Sequence, residues 1–247
     1  MNIQEMFDKT LRLVKKCGDI LKNVDFEKEA TVKKDGSLVT KYDLMLDKKL
    51  TEGLKEIANY PVFSEEHTEE CGDTYFIIDP IDGTHNFNSG LEFFGIIVAF
   101  VQNKETQFSI VHLPLLDKTF TAIKGHGAYL NDKKRISVRK STNKLVGSCD
   151  ITIDTLDAIH NIINSGENID LRSIYCTGLE VSYIANGCLD FLFLKNSGFE
   201  WDFIGPKLIL EEAGGILKFV ELSNGGYSVI AGTKEAVEII EKITKIL

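Results

Sequence analysis

The chain has 247 residues, 43% hydrophobic and 26% charged, an ordinary globular balance with ample material for a core. Its 28 basic and 37 acidic residues give a net charge of −9, and that charge is local: the segment Glu56–Asn103 holds nine acids and no Lys or Arg. A chain without clustered cations is unsuited to non-specific nucleic-acid binding, and the question becomes what holds so many carboxylates in one place.

In chain order, Ile3, Met6, Phe7, Leu11, Val14, Ile20 and Leu21 recur at a helical period and predict a helix over 1–24. Lys34-Asp35-Gly36-Ser37 reads as a turn. Leu44, Leu46, Leu50, Leu54 and Ile57 predict a second helix with Asp43 at or near its start. The apolar run Tyr75–Asp79 predicts a buried strand that Pro80 terminates. Strand-like runs follow at 94–101, 108–113 and 119–123, a sequential pattern that predicts an antiparallel sheet. Farther on, helices are predicted over 154–163, 179–186 and 203–213, the last stopped by Gly214-Gly215. Strands are predicted at 189–194, 216–220 and 227–231, before a final helix over 234–246. Helices and strands interleave without a regular βαβ beat, so the expected fold is a layered mixed α/β sandwich. With no internal repeat or Pro/Gly-rich linker, residues 1–247 read as one domain, with lobes expected over 1–140 and 141–247.

No run of about 18 apolar residues predicts a transmembrane helix, and Glu5 and Asp8 precede any apolar stretch, unlike a secretory signal. The cysteines at 17, 71, 149, 176 and 188 are odd in number, widely spaced and lack a CxxC pair. Free thiols in a reducing cytoplasm are the expectation.

The chemistry concentrates in four segments: Val39–Asp43, Phe63–His67, Asp79–Phe87 and Trp201-Asp202. An acid closing a buried strand is costly unless something positive meets it. Pro80 stiffens the backbone so that Asp79 and Asp82 can converge with the Ile81 carbonyl between them. Oxygen donors without His or Cys suit Mg²⁺, Mn²⁺ or Ca²⁺ rather than zinc. Gly83 lets the backbone approach a ligand, and Thr84 opens a helix whose first N–H groups suit a phosphate. On spacing alone, Asp-x-x-Asp reads equally as a surface turn or as a ligand pair. A carboxylate–metal cluster beside an anion-binding turn points to phosphoryl chemistry.

DPIDGTHNF at 79–87 resembles the DP(I/L)DGTxNF signature of the inositol monophosphatase superfamily, and WDFIGPKLILEEAGG at 201–215 resembles its WDxAAGxLxxxEAGG signature. FSEEH at 63–67 is similar to the family's Glu-Glu segment, KKDGSLVTKYD at 33–43 to its K-x-D-x-x-V-T-x-x-D segment, and GHGAYLN at 125–131 to its GxGAxxN turn. The resemblance implies a Mg²⁺-dependent, Li⁺-sensitive phosphomonoesterase using two or three ions, with Glu65, Asp79, the Ile81 carbonyl, Asp82 and Asp202 as metal ligands. It assigns phosphate binding to Gly83 and Thr84, and positioning of the attacking water to Glu66, Thr84 and Asp43. His85, at the variable position of the signature, reads equally as a substrate contact or a helix-surface residue.

The pattern departs from the family around the substrate. At the place of the usual Arg-x-x-Gly-Ser-Ala stretch, Arg172–Gly178 keeps the Arg but replaces the small-residue run with Tyr175 and Cys176. Lys195 stands where many members carry a Glu six residues before the Trp-Asp pair, a cation suited to a second anionic group. Cys176, Thr177 and Lys195 are therefore candidate substrate contacts, and Pro206 replaces a small residue early in the Asp202 helix. These departures favour bisphosphorylated substrates beside inositol phosphates, so a 3'(2'),5'-bisphosphate nucleotidase or a fructose-1,6-bisphosphatase-like enzyme is the alternative. From another class, a regulatory interaction protein keeping the phosphatase fold is a further reading. The expected partner is a small phosphorylated metabolite, with no nucleic acid or membrane, and the resemblance admits a homodimer. GxSxG, HExxH and GxxxxGK[ST] motifs are absent.

Overall fold

A computed structural model of the chain describes residues 1–24, 30–33, 38–67, 69–140, 143–223 and 226–245. The expected turn at 34–37 lies outside the described residues. Helix α1 (Ile3–Leu21) starts where the Asn2 side chain accepts the Glu5 N–H, and its periodic residues Met6, Phe7, Val14, Cys17 and Leu21 are buried. A hairpin of β1 (Ala30–Val32) and β2 (Leu38–Thr40) leads into α2 (Lys41–Ile57). Thr40 caps α2 and Asp43 returns the bond to the Thr40 N–H, a reciprocal capping box that fixes the Asp43 carboxyl at the first turn.

Strands β3 (Val62–Ser64) and β4 (Tyr75–Asp82) pair in parallel. The latter corrects the expectation that Pro80 ends the strand, since β4 runs on to Asp82. Its antiparallel pairing with β5 shifts register between Asp79 and Asp82, so Pro80 falls where no ladder N–H is needed. Gly83, at φ 88°, turns the chain into the short helix α3 (Thr84–Ser89). A Cβ on Gly83 would lie 2.8 Å from the Phe93 carbonyl oxygen, so both conformation and space demand glycine there. Strands β5 (Gly95–Gln102), β6 (Glu105–Leu113), β7 (Lys118–Ile123), β8 (Gly127–Leu130) and β9 (Lys134–Ile136) continue an antiparallel meander. The sheet has seven strands in the order β3-β4-β5-β6-β7-β8-β9.

The remaining elements are β10 (Leu145–Cys149), α4 (Leu156–Asn164), β11 (Ile169–Arg172), α5 (Thr177–Ala185), β12 (Phe191–Gly198), α6 (Glu200–Glu212), β13 (Ile216–Glu221), β14 (Tyr227–Gly232) and α7 (Lys234–Thr244). They form a mixed five-stranded sheet in the order β11-β10-β12-β14-β13. Three of the apolar clusters among the described residues define the layers. Helices α1 and α2 pack Val14, Leu46 and Leu50 onto Phe76, Phe100 and Phe108 of the seven-stranded sheet. Helices α5 and α6 put Leu179, Ile184, Phe203 and Ile209 between Val111 and Phe120 on one side and Leu192 and Val229 on the other. Helices α4 and α7 cover the outer face of the five-stranded sheet through Ala158, Ile162, Val237 and Ile240. Helix and sheet layers therefore alternate as the sequence predicts.

Helix α6 carries Asp202 and approaches the large sheet closely. A Cβ on Gly205 would sit 3.0 Å from Ser109 Oγ and 3.1 Å from Ala99 Cβ, so a larger residue would push the helix off the sheet. Pro206 lies inside α6 and is buried. At the other end, the Glu212 carboxylate accepts the Gly125 and Gly127 N–H groups, each at 2.6 Å, latching the β7–β8 turn to the helix. Loss of this charged double acceptor in Glu212→Ala is expected to lower stability by about 1–3 kcal/mol. The denaturant midpoint checks it, and an unchanged midpoint would show that water satisfies both amides.

Candidate active site

The site assembles where the ends of β4, α5 and α6 meet. Asp79 turns back to accept the Ile81 N–H at 2.9 Å, which orients its carboxyl within the bulge. The Asp82 carboxyl accepts the Thr177 and Gly178 N–H groups of the α5 N-terminus at 3.0 and 2.7 Å. The Cys176 thiol donates to it at 3.0 Å. Asp202, in the first turn of α6, accepts the Phe199 N–H at 2.8 Å. Oxygen atoms of Asp79, Asp82 and Asp202 lie within 4.8 Å of one another, with the first two residues buried and the third partly so. Residues 120 positions apart are thus brought to one point by the α6–sheet contact.

Two further groups flank the cluster. Buried Asp43 accepts from the Thr40 N–H and hydroxyl on one oxygen, and the Thr84 hydroxyl lies 3.2 Å from the other. That hydroxyl is also 2.9 Å from the Ile81 carbonyl oxygen, so its single proton has two acceptors within reach. Glu65 and Glu66 share the Lys33 ammonium at 2.8 and 2.6 Å. His67, next along, is held by Asp47 at 2.9 Å. Trp201 stacks on Phe199 and leans on Phe63, packing the corner before Asp202.

Burial sets the electrostatics. Asp79 and Asp202 are held well above the usual carboxylate range by burial, and then by neighbouring acids, Glu65 first for Asp79 and Asp82 first for Asp202. Asp82 is pushed up to about 6 by burial, tempered by its Cys176, Gly178 and Thr177 donors. Burial also lifts Glu65 to about 7 against the opposing pull of Lys33, and it raises Glu66 and Asp43. Buried acids this close cannot all ionise without a cation among them. Their donor set, all carboxylate and carbonyl oxygen, fits a hard divalent ion.

The sequence reading missed two acids. Asp150, just past β10, is raised to about 6 by burial and the charge of Asp82, and it acts in turn on Asp202. Glu180 on α5 is fully buried, bonded to Ser148 Oγ, and lifted to about 8 by burial and then Asp150. No local motif marks either residue, because their proximity depends on β10 lying parallel to β12 beneath α5. Lys33 stood inside a recognised segment, but its pairing with two glutamates depends on the β1–β2 hairpin. Of the sequence candidates, His85 is exposed on α3, and Lys195 lies in the irregular stretch of β12 between Leu194 and Gly198. Among the described residues, no hydrogen bond or ion pair joins either to the acidic cluster. Glu69 pairs with Lys55 and accepts the Val62 N–H.

A layered α/β sandwich with three acids converging beside a glycine turn is the arrangement of the inositol monophosphatase fold. The chain belongs to the inositol monophosphatase family, whose sequence model matches residues 2–245. It is a phosphatase of the inositol monophosphatase type, acting on phosphate monoesters. It is 32% identical to a fructose-1,6-bisphosphatase/inositol-1-monophosphatase of Thermotoga maritima, covering 86% of this chain and 84% of that protein. It is 29% identical to inositol monophosphatase 1 of Sus scrofa over 98% of this chain and 94% of that one. A 3'(2'),5'-bisphosphate nucleotidase CysQ of Aggregatibacter actinomycetemcomitans is 27% identical over 78% and 76% of the two chains. Among solved structures, an IMPase from Thermotoga maritima superposes with a TM-score of 0.84 at 27% identity, covering 97% of this chain and 98% of that one.

Proposed function

We propose that the chain is a Mg²⁺-dependent phosphomonoesterase in which Glu65, Asp79, the Ile81 carbonyl, Asp82 and Asp202 hold two or three ions. The observation that carries this reading is the convergence of Asp79, Asp82 and Asp202 within 4.8 Å beside the Gly83–Thr84 turn. Bound divalent ions supply an acidified water and charge for the leaving oxygen. The chain's own groups do the rest. Gly83 and Thr84 offer backbone N–H groups to the phosphate at the start of α3. Asp43 holds the Thr84 hydroxyl, which can pass a proton from the attacking water towards that carboxyl. Glu66, kept in place by Lys33, is the second group placed to orient the water. Cys176, Thr177, His85 and Lys195 are proposed to face the substrate.

The physiological substrate is a small phosphorylated metabolite, with inositol phosphates as the first reading. The second reading, a bisphosphate ester, is favoured by Lys195, a cation where the family pattern carries a carboxylate. Phosphate release across inositol phosphates, adenosine 3',5'-bisphosphate and sugar bisphosphates separates the two. In the second reading, Lys195→Glu costs bisphosphates about 10-fold or more in kcat/KM and spares monophosphates. An unchanged preference discards Lys195 as a determinant. Chelation is expected to stop hydrolysis of every ester in the panel, and turnover that survives it removes the metal reading.

Among the described residues, no helix is long and apolar enough to cross a membrane. A cytoplasmic location is proposed from the cysteines, none of which is paired. A homodimer is proposed from α4, where Leu156 and Ile163 lie two turns apart on one face, 48% and 73% exposed. Light scattering on the eluting protein tests it, and a monomer mass at micromolar concentration would reject it.

A further inference from the structure

Tyr175 stands at the edge of the site in a conformation its residue type rarely adopts. Its φ of 57° places an aromatic side chain in the left-handed region. The residue is fastened at both ends. Its carbonyl oxygen lies 3.2 Å from Asn86 Nδ2 and 3.2 Å from where a Cβ on Gly83 would sit. Its phenol accepts the Ile151 N–H at 2.9 Å and donates to the Ile151 carbonyl oxygen at 2.8 Å. The next residue, Cys176, already touches Asp82. The ring therefore spans from the Asp82–Gly83 turn to the segment after β10, whose Asp150 carboxyl feels the charge of Asp82.

Because the hydroxyl both gives and takes a hydrogen bond within the protein, what the ring leaves to solvent is chiefly hydrocarbon. Tyr175 is 39% exposed and Ile151 is 60% exposed. A strained backbone clamped by three hydrogen bonds presents that face ready-made, with no ordering cost when a ligand arrives. We infer that the Tyr175 ring and the Ile151 side chain form an apolar subsite for the alcohol part of the substrate. It adds affinity for phosphate esters whose alcohol carries a flat apolar face. This rests on the reading of the Asp82–Thr84 turn as the phosphate site.

The test compares binding of phenylphosphonate and inorganic phosphate to the full chain with Mg²⁺ by calorimetry, in wild type, Tyr175→Asn and Tyr175→Phe. Asparagine tolerates the left-handed backbone but removes the ring, whereas phenylalanine keeps the ring and removes the clamp. Tyr175→Asn is expected to weaken phenylphosphonate about five- to tenfold while leaving phosphate within about twofold. With phenyl phosphate as substrate, KM rises by a similar factor at unchanged kcat, and glycerol 2-phosphate is unaffected. Tyr175→Phe is expected to lose less. Equal weakening of both ligands, or no weakening of phenylphosphonate, overturns the subsite while leaving the phosphate site standing. A wild-type chain that binds neither ligand overturns the phosphate-site reading and the subsite with it. Thermal melts of both variants report folding separately, and a variant that fails to melt cooperatively leaves the other to decide.

Discussion

Asp79→Asn is expected to reduce Mg²⁺-dependent phosphate release by more than the roughly 10- to 100-fold that losing an outer-shell partner costs a metal site. The substitution is nearly isosteric, so the bulge that places Asp79 opposite Ile97 should survive, and the amide oxygen can still accept the Ile81 N–H. What changes is charge. Asp79 lies at the centre of the acids, acted on by Glu65, Asp82, Asp202 and Asp43. Removing its charge weakens a cation held among those groups while relieving their repulsion. The same variant should therefore be inactive yet more stable than wild type when metal is chelated. Single-turnover phosphate release and a chelated thermal melt check the two halves. Full turnover in Asp79→Asn would remove it from the metal ligands.

Stability of the metal-free chain should fall as pH rises from about 4 towards 7. The sign follows from carboxyls whose folded values lie above their ordinary ones. Glu65 moves from 4.5 to about 7 and Asp82 from 3.8 to about 6. At these groups the folded state binds more protons than the unfolded state in that window, so raising pH removes protons the fold prefers to keep. His112, lowered from 6.5 to about 4 by burial, opposes them as a single group. Below about pH 3 both states are largely protonated at these groups and the slope vanishes. Saturating Mg²⁺ should flatten the slope, because a bound cation replaces the proton as the compensating charge. At a concentration 100 times its Kd, a ligand adds about 2.7 kcal/mol. For a chain of this size that is a rise in Tm of about 5–10 °C. A metal-free chain that gains stability between pH 4 and 7, or a Tm indifferent to Mg²⁺, would refute this account of the acids.

The parts legible in the sequence are those in which a short run carries its own geometry. Within the Asp79–Phe87 run, the glycine turn and the helix start at Thr84 are read locally and both are present, whereas the bulge between Asp79 and Asp82 was not foreseen. The long amphipathic helices α1, α2 and α7 announce themselves by period, though the last residue of the expected final helix, 246, lies outside the described residues. Strands β1, β3, β9 and β11 do not, because three or four residues hold too little pattern to separate a strand from a loop. Pro80 misled for a related reason: local backbone preference predicts a stop, and the register shift beside β5 overrides it.

At the site, Asp79, Asp82 and Asp202 were readable because they sit in recognisable runs, whereas their convergence depends on Gly205 letting α6 rest on the sheet. Asp150 and Glu180 had no such marker. They matter because buried carboxyls act on one another through a medium of low dielectric, and that depends on distance in the fold, which sequence separation does not report. Tyr175 showed only as a departure from a small-residue run. Its left-handed backbone and its double bond to Ile151 exist only once β10 and α5 are in place.

The central claim is that Asp79, Asp82 and Asp202 hold the divalent ion on which hydrolysis depends. Crystals grown with Mn²⁺ and measured at the manganese absorption edge locate that ion directly. The account predicts an anomalous peak among these three carboxyls, lost in Asp79→Asn crystals. A wild-type peak only elsewhere, or none at saturating Mn²⁺, would contradict it.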